Sequence, residues 1–418
     1  MSAIVPLALY VHLPWCVAKC PYCDFVSHAV PREGLPERQY VDALTDDLEF
    51  AAQAAHGREV ISVFFGGGTP SLFAAESIDR ILTCARATLP FAADAEVTLE
   101  ANPGTVEHAR FQEYRAAGVN RISLGAQTFD DRRLAALGRI HSARETCLAV
   151  DELHAAGIAN FNLDLMYALP EQDTADALDD IQRAVELGPS HVSHYQLTLE
   201  PGTAFSHRPP PLPSDDTSFE MQVECQKQLA AAGYAQYEVS AYARSGARCR
   251  HNLNYWSFGD YVGVGVGAHG KVTDLSNGDI VRTARVKSPA RYLAATARVD
   301  RVAEMRTIPL SERVFEFCLN ALRLVDGFDW PTFEARTGLS REAIAAICEK
   351  CARDGLLERV EHGGWRPSSL GLRFLNDLQG RFLDCKVGLR WMGRAYRCHE
   401  WRQRVLPRAA PGEAGCKR

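Results

Sequence analysis

Cys16-Val-Ala-Lys-Cys20-Pro-Tyr-Cys23 decides how this chain is read. It follows a strand-like run, 7–13, by only a few residues. A C-x3-C-x2-C spacing lets three thiolates converge on one metal centre and leaves one coordination position without a nearby cysteine. Iron–sulfur cubanes normally take four thiolates, one per iron. A cubane held by three has one iron free for an exchangeable ligand, so chemistry can happen there. Zinc is the competing reading: Cys16, Cys20 and Cys23 with His12 or His28 could form a closed Cys3His site. A lipoprotein cleavage site at Leu13-Pro-Trp-Cys16 fails, because no basic residues and no long apolar run precede it.

Around this loop the chain is 418 residues long, enough for one large domain and one small one. Hydrophobic residues make up 46% and charged residues 23%, an ordinary soluble composition. No stretch approaches 18 consecutive apolar residues and no signal peptide is visible, so a cytoplasmic protein without a membrane span is expected. Thirteen cysteines then point to a reducing compartment, with thiols serving as ligands or core residues. A net charge of −6 does not favour a nucleic-acid partner. Residues 384–418 depart from this balance, with nine Lys/Arg against three Asp/Glu. That stretch, assigned as 383–418, reads as a disordered basic tail; its functional reading is peripheral association with an anionic membrane surface.

From residue 7 to about 242, strand-like and helix-like segments alternate. Strands are expected at 7–13, 60–65, 96–100, 121–125, 160–166 and 191–199. Helices are expected at 38–56, 76–89, 106–117, 130–137, 143–156 and 174–187. Such alternation makes a parallel α/β sheet the fold class. Periodicity alone does not separate an open doubly wound sheet from a barrel.

The unusual residues fall just after strands, where both architectures assemble their sites. The thiolates follow the first strand, Gly66-Gly67-Gly68-Thr69-Pro70 the second, and Glu100-Ala-Asn102-Pro103 ends the third. Gln127 follows the fourth, and Asp164 lies within the fifth. Glycines let backbone approach a ligand closely, while Glu100, Gln127, Arg139 and Asp164 suit charged and hydroxyl groups. Gly265-Val-Gly267-Ala-His-Gly270 matches a dinucleotide fingerprint, but the turn-rich sequence after it does not start a helix. Cys348-Glu-Lys-Cys351 falls in an expected helix and reads as packing. After a linker-like stretch, 277–309, residues 310–382 follow the order helix, helix, hairpin, helix of a small winged-helix-like domain. Ten Lys/Arg face eleven Asp/Glu there, so the charge footprint of a DNA binder is missing.

Taken together, Tyr-Val-His-Leu-Pro-Trp-Cys16, Cys20-Pro-Tyr-Cys23-Asp-Phe, Gly-Gly-Gly-Thr-Pro, Ala-Asn-Pro-Gly-Thr, Gly-Arg-Ile-His, Asn-Leu-Asp-Leu-Met and His251-Asn-Leu-Asn-Tyr-Trp256 are distinctive. They resemble the oxygen-independent coproporphyrinogen III oxidase family of the radical S-adenosylmethionine (SAM) superfamily, over residues 5 to 382. The resemblance implies a partial (β/α)6 TIM-type barrel, a radical SAM core over 1–276, and a [4Fe-4S] cluster on Cys16, Cys20 and Cys23. It implies SAM on the open iron, touched by Tyr10, Tyr22, Gly67 and Glu100. Gly68, Thr69, Gln127, Arg139 and Asp164 match positions that hold a second SAM in the oxidase.

Two departures favour the heme-chaperone branch over the oxidase. Phe25 stands where the oxidase motif has a fourth cysteine, and six residues before the first strand cannot supply its N-terminal arm. In that branch heme joins the cofactors, and heme-accepting proteins, such as respiratory heme proteins, are the partners. Coproporphyrinogen oxidase activity is then not expected, although it is the alternative function. His251 is the candidate heme ligand. Arg248 and Arg250 could pair with propionates, and Cys249 is a second candidate ligand. The competing reading makes this segment a turn anchored to the barrel by Tyr255 and Trp256.

Overall fold

Six parallel strands lie side by side in the order in which the chain makes them. They are β1 (Leu7–Leu13), β2 (Val60–Gly67), β3 (Phe91–Ala101), β4 (Arg121–Gln127), β5 (Phe161–Tyr167) and β6 (His191–Gln196). The computed structural model describes residues 5–105, 110–361 and 363–383. A doubly wound sheet reverses its strand order at a switch point. This wall does not, so it is the partial (β/α)6 barrel that the resemblance implies.

Helices α1 (Glu37–Ala51), α2 (Ala75–Thr88), α3 (Arg110–Ala116), α4 (Ala143–Ala155) and α5 (Thr174–Glu186) link the strands. Two start on reciprocal caps, Ser142 with Glu145 and Asp173 with Asp176. Successive strand residues point to opposite faces, and the two faces differ sharply here. Leu7, Leu9, Val11, Val63, Phe65, Leu99, Ile122, Leu163 and Leu165 join one core cluster with helix residues such as Leu44, Ile81 and Ile181. Phe64 and Met166 apart, the alternate positions are polar or small: Tyr10 and His12, Ser62 and Gly66, Thr98 and Glu100, Ser123 and Gly125, Asn162 and Asp164. The barrel interior is therefore a polar lumen rather than a packed apolar core.

Further strands extend both flanks of this wall, and all of them pair antiparallel except the one directly beside β1, Asp260–Val264, which runs parallel to it. Beyond β6 lie β7 (Ala235–Glu238) and β8 (Ala241–Ala243). Beyond β1 lie β9 (Asp260–Val264), β10 (His269–Thr273), β11 (Ile280–Arg285) and β12 (Val302–Thr307), giving twelve strands in one sheet. Gly265, Gly267 and Gly270 belong to the β9–β10 hairpin, which disposes of the dinucleotide match.

The linker expected at 277–309 is corrected by these pairings. It holds β11, β12 and the short helix Pro289–Ala294, and a boundary at 276 cuts the β10–β11 hairpin. Its charged, turn-rich composition suits strands at a sheet edge. Residues 310–382 form helix Leu310–Ala321, helix Trp330–Thr337, helix Ala345–Arg353 and a three-stranded sheet closed by the hairpin Leu357–Arg359/Gly364–Pro367. This is the winged-helix-like arrangement, packed on Phe317, Phe328 and Phe333. The described residues fall in a single compact unit. None of their helices is long and apolar enough to cross a membrane. The basic tail lies, from residue 384 on, outside the described residues.

Candidate functional site

The cysteine loop is laced to the end of β2. The Gly68 amide donates to Leu13 O at 2.8 Å and the Thr69 amide to Trp15 O at 2.8 Å. Trp15–Cys16 pairs with His28–Ala29, which closes the loop around the thiols. Burial pushes the Cys16 thiol up, while hydroxyls of Thr69 and Ser27 stabilise its thiolate and the other two cysteines raise it again. Cys23 is also raised by burial, with Cys20 adding to the shift. Three thiols thus share one electrostatic neighbourhood, and cationic metal would offset the repulsion among their thiolates. Among the described residues, no three His, Cys, Asp or Glu side chains stand close enough to share a single ion. Thiolates that each serve a different iron of a cubane need not be that close.

Both histidines considered for zinc have other partners. His12 Nε2 donates to Val26 O at 2.8 Å, so Nδ1 accepts from the Tyr10 hydroxyl at 3.0 Å. Burial lowers its pKa to about 4, which keeps this neutral tautomer. His28 Nε2 lies 3.0 Å from Lys287 O.

Above the loop the strand ends bring the other predicted residues together. Glu100 accepts from the Gly67 amide at 3.2 Å. Burial, with the nearby Asp164 charge, pushes its pKa up to about 8. Asp164 accepts from Ser123 Oγ at 3.0 Å and Asn162 Nδ2 at 2.9 Å, and burial raises it too. Gln127 ends β4 at φ 67° and accepts from the Tyr195 hydroxyl at 2.9 Å. Arg139 donates to Gly125 O at 2.9 Å and to Asn102 Oδ1, and sits 3.8 Å from Cys20 Sγ. Tyr22 packs near Phe205 and is also linked to Cys20. Cys16, Cys20, Cys23, Tyr10, Tyr22, Gly67, Gly68, Thr69, Glu100, Gln127, Arg139 and Asp164 thus gather at one end of the barrel.

The glycine loop has a second explanation. A Cβ at Gly68 would lie 2.6 Å from Trp15 O, and one at Gly67 2.7 Å from the His12 ring. Packing of the chain itself forbids side chains there. The glycines that face the lumen are Gly66 and Gly125, where a Cβ would meet Glu100 at 3.2 Å and Gln127 Nε2 at 2.9 Å respectively. Asn102 enters the sequence reading only as part of the run Glu100–Pro103, and Gly125 and Tyr195 do not enter it as site residues. Their signal was the position at or near a strand end, two residues from a candidate already chosen in each of the first two cases.

His251 lies on helix α6 (Arg250–Trp256), which packs against β1, β2 and β9, with its ring 6.4 Å from that of Tyr10. The residue is 8% exposed, with Nδ1 3.2 Å from Ser62 Oγ and the ring face against Phe64. Burial lowers its pKa to about 3, helped by Arg121. Glu96 receives the start of this helix, accepting from the amides of Arg250 and His251 at 3.1 Å each. Arg248 pairs with Asp326 at 2.6 Å and Arg250 with Asp94 at 3.0 Å, so neither flanking arginine is free for a propionate. The thiol of Cys249 is fully buried and donates to Glu96 at 3.4 Å.

The radical SAM superfamily profile matches residues 10–184, and the HemN C-terminal domain profile matches 308–374. The chain is 46% identical to heme chaperone HemW of Escherichia coli (strain K12), over 92% of this chain and 100% of that protein. It is 45% identical to heme chaperone HemW of Haemophilus influenzae, over 92% and 99%. It is 36% identical to the mitochondrial radical S-adenosyl methionine domain-containing protein 1 of Bos taurus, over 89% and 86%. Among solved structures, coproporphyrinogen III oxidase (HemN) from Escherichia coli, a radical SAM enzyme, superposes with a TM-score of 0.75. That match covers 90% of each chain at 23% identity and shows a common fold.

Proposed function

This chain belongs to the family of the heme chaperone HemW within the radical SAM superfamily, and on that premise we propose that it binds heme and delivers it to heme-accepting proteins. The observation that carries the reading is likeness to the chaperone along its whole length, at 46% identity. The oxidase shares the fold at half that identity, 23%. Phe25, 60% exposed, stands where the oxidase motif has its fourth cysteine.

Cys16, Cys20 and Cys23 are the residues for a [4Fe-4S] cluster, and Glu100, Gly67, Gln127, Arg139 and Asp164 for SAM. When bound, this pair supplies one-electron cleavage of a sulfur–carbon bond of SAM. The chain's own part is to hold the thiols in a half-buried loop, to keep Glu100 as an acceptor on the Gly67 amide, and to place Arg139 between Cys20 and Asn102. His251 remains the candidate residue that would hold heme. With Nδ1 held by Ser62, Nε2 is the nitrogen left for iron, and heme must reach it from the barrel side. A cytoplasmic setting fits the thiol content.

Anaerobic reconstitution followed by heme titration tests the reading. The wild type is expected to take up iron, sulfide and heme, and to pass heme to an apo-acceptor such as a respiratory cytochrome. Cys20→Ala should lose most iron and sulfide, while Cys348→Ala, buried in a distant helix, should lose none. Anaerobic decarboxylation of coproporphyrinogen without heme binding would reverse the assignment in favour of the oxidase.

A further inference from the structure

Below the predicted SAM residues, two buried polar groups lack hydrogen-bond partners. They are Thr98 Oγ1 and Arg121 Nε, on residues 0% and 2% exposed. The two residues are direct register partners across β3 and β4. A guanidinium has five N–H donors and no way to lose its charge, so a buried Nε–H without an acceptor is costly. The carboxylates nearest in charge are already committed elsewhere. Glu96 serves Cys249 and the amides of Arg250 and His251. Asp164 serves Ser123 and Asn162. No described carboxylate stands at ion-pair distance from Arg121.

The wall above this point leaves room. Phe64 stands level with Thr98, and above it Gly66, Ser123, Gly125 and Ser193 are small residues on the lumen side. Asp164 and Ser193, paired in register, are both partly exposed although they lie mid-strand. Glu100, paired with Ser123 in the layer directly above Thr98 and Arg121, is partly exposed as well, so solvent reaches to one layer above Arg121.

We propose that Arg121 and Thr98 form a carboxylate-binding floor in the barrel, which receives one propionate arm of a tetrapyrrole entering from the open end. The guanidinium supplies charge-assisted hydrogen bonds and the hydroxyl a further donor. This rests on the heme-carrier reading. Coproporphyrinogen carries the same arms, so the floor serves either tetrapyrrole, and the test separates the two.

The full chain, reconstituted anaerobically, is titrated with heme and with heme dimethyl ester, which has no charged arms. The wild type is expected to prefer heme by about tenfold or more. Arg121→Gln should bring that preference close to unity, and Thr98→Val, which keeps the shape, should reduce it severalfold. Iron and sulfide content should stay unchanged in both, which shows that they fold. Equal affinity of the wild type for heme and its diester would mean that the floor holds only water, and the proposal falls while the heme reading stands. An unchanged preference in both variants overturns it equally. Binding of coproporphyrinogen but not heme, still sensitive to R121Q, would keep the floor and remove the heme reading. Binding of neither would remove both.

Discussion

Gly67 adopts φ 121°, and a Cβ there would collide with the His12 ring, whereas Gly125 faces Gln127, Arg139 and Asn102 without a positive φ. The two glycines should therefore fail differently. Gly67→Val strains the loop that holds the thiols, so it is expected to lose cluster content together with stability. Gly125→Ala is expected to keep the cluster and weaken the change that SAM produces in its paramagnetic resonance spectrum. Normal iron content in the Gly67 variant would show that the loop tolerates a side chain. Glu100 makes the second prediction at this scale. Its pKa is raised by burial from 4.5 to about 8. Between those values the folded protein holds a proton that the unfolded chain releases, so stability falls as pH rises through that window. Glu100→Gln should thus gain stability over the wild type near pH 8, with the gain shrinking toward pH 4.5. Denaturation at the two pH values checks it, and a constant difference would place Glu100 in a more solvated setting. The thiols, Gly67, Gly68, Thr69, Glu100 and Gln127 were legible because they stand at or just beyond strand ends, whereas Tyr10 and Asp164 lie within strands. The Arg121–Thr98 pair was not legible, since only register across β3 and β4 shows that the two residues meet.

Helix α6 shows what one carboxylate does for an element. Its first amides, at Arg250 and His251, both donate to Glu96, which lies on a strand more than 150 residues earlier. An interior carboxylate accepting two amides satisfies donors that a helix start otherwise leaves open. Glu96→Ala is expected to cost about 1–3 kcal/mol. The exposed partner of the same helix, Asp94, pairs with Arg250 where both are open to solvent. Asp94→Ala should cost less than about 1 kcal/mol. Urea denaturation of the two variants compares them directly, and similar losses would mean that the cap is not what holds the helix. The sequence motif beginning at His251 marked this segment for attention, but it did not reveal its direction. The imidazole points into the barrel, and the arginines beside it point out to acidic partners. Strand alternation was legible in the same limited way. The run Arg121-Ile-Ser-Leu-Gly-Ala-Gln127 reads as a strand from its apolar residues, yet its polar residues carry the lumen.

At the scale of the whole molecule, the stretch 277–309 is what composition misjudged. Local sequence there is charged and broken by turns, and its structural role depends on partners in α1, some 240 residues away. Arg285 bonds Asp47 through Nε at 2.9 and 3.0 Å, with side chains 3% and 0% exposed. Tyr292 donates to the same carboxylate at 2.8 Å, and the Gly265 amide does so at 3.2 Å. Asp46, next in the helix, takes Arg298 and Arg301 at 2.6 Å each. Removing one partner of a buried pair strands the other charge, at a cost of about 3–5 kcal/mol. Arg285→Met should lose stability in that range. A fragment ending at residue 276 removes Arg285, Tyr292, Arg298 and Arg301 together with β11 and β12, and it also leaves β10 as a bare edge. It is expected to lack a cooperative unfolding transition and to retain little cluster after reconstitution, even though all three ligand cysteines are present. Full cluster content and cooperative unfolding in that fragment would show that 277–309 is a dispensable connection rather than part of the barrel's support.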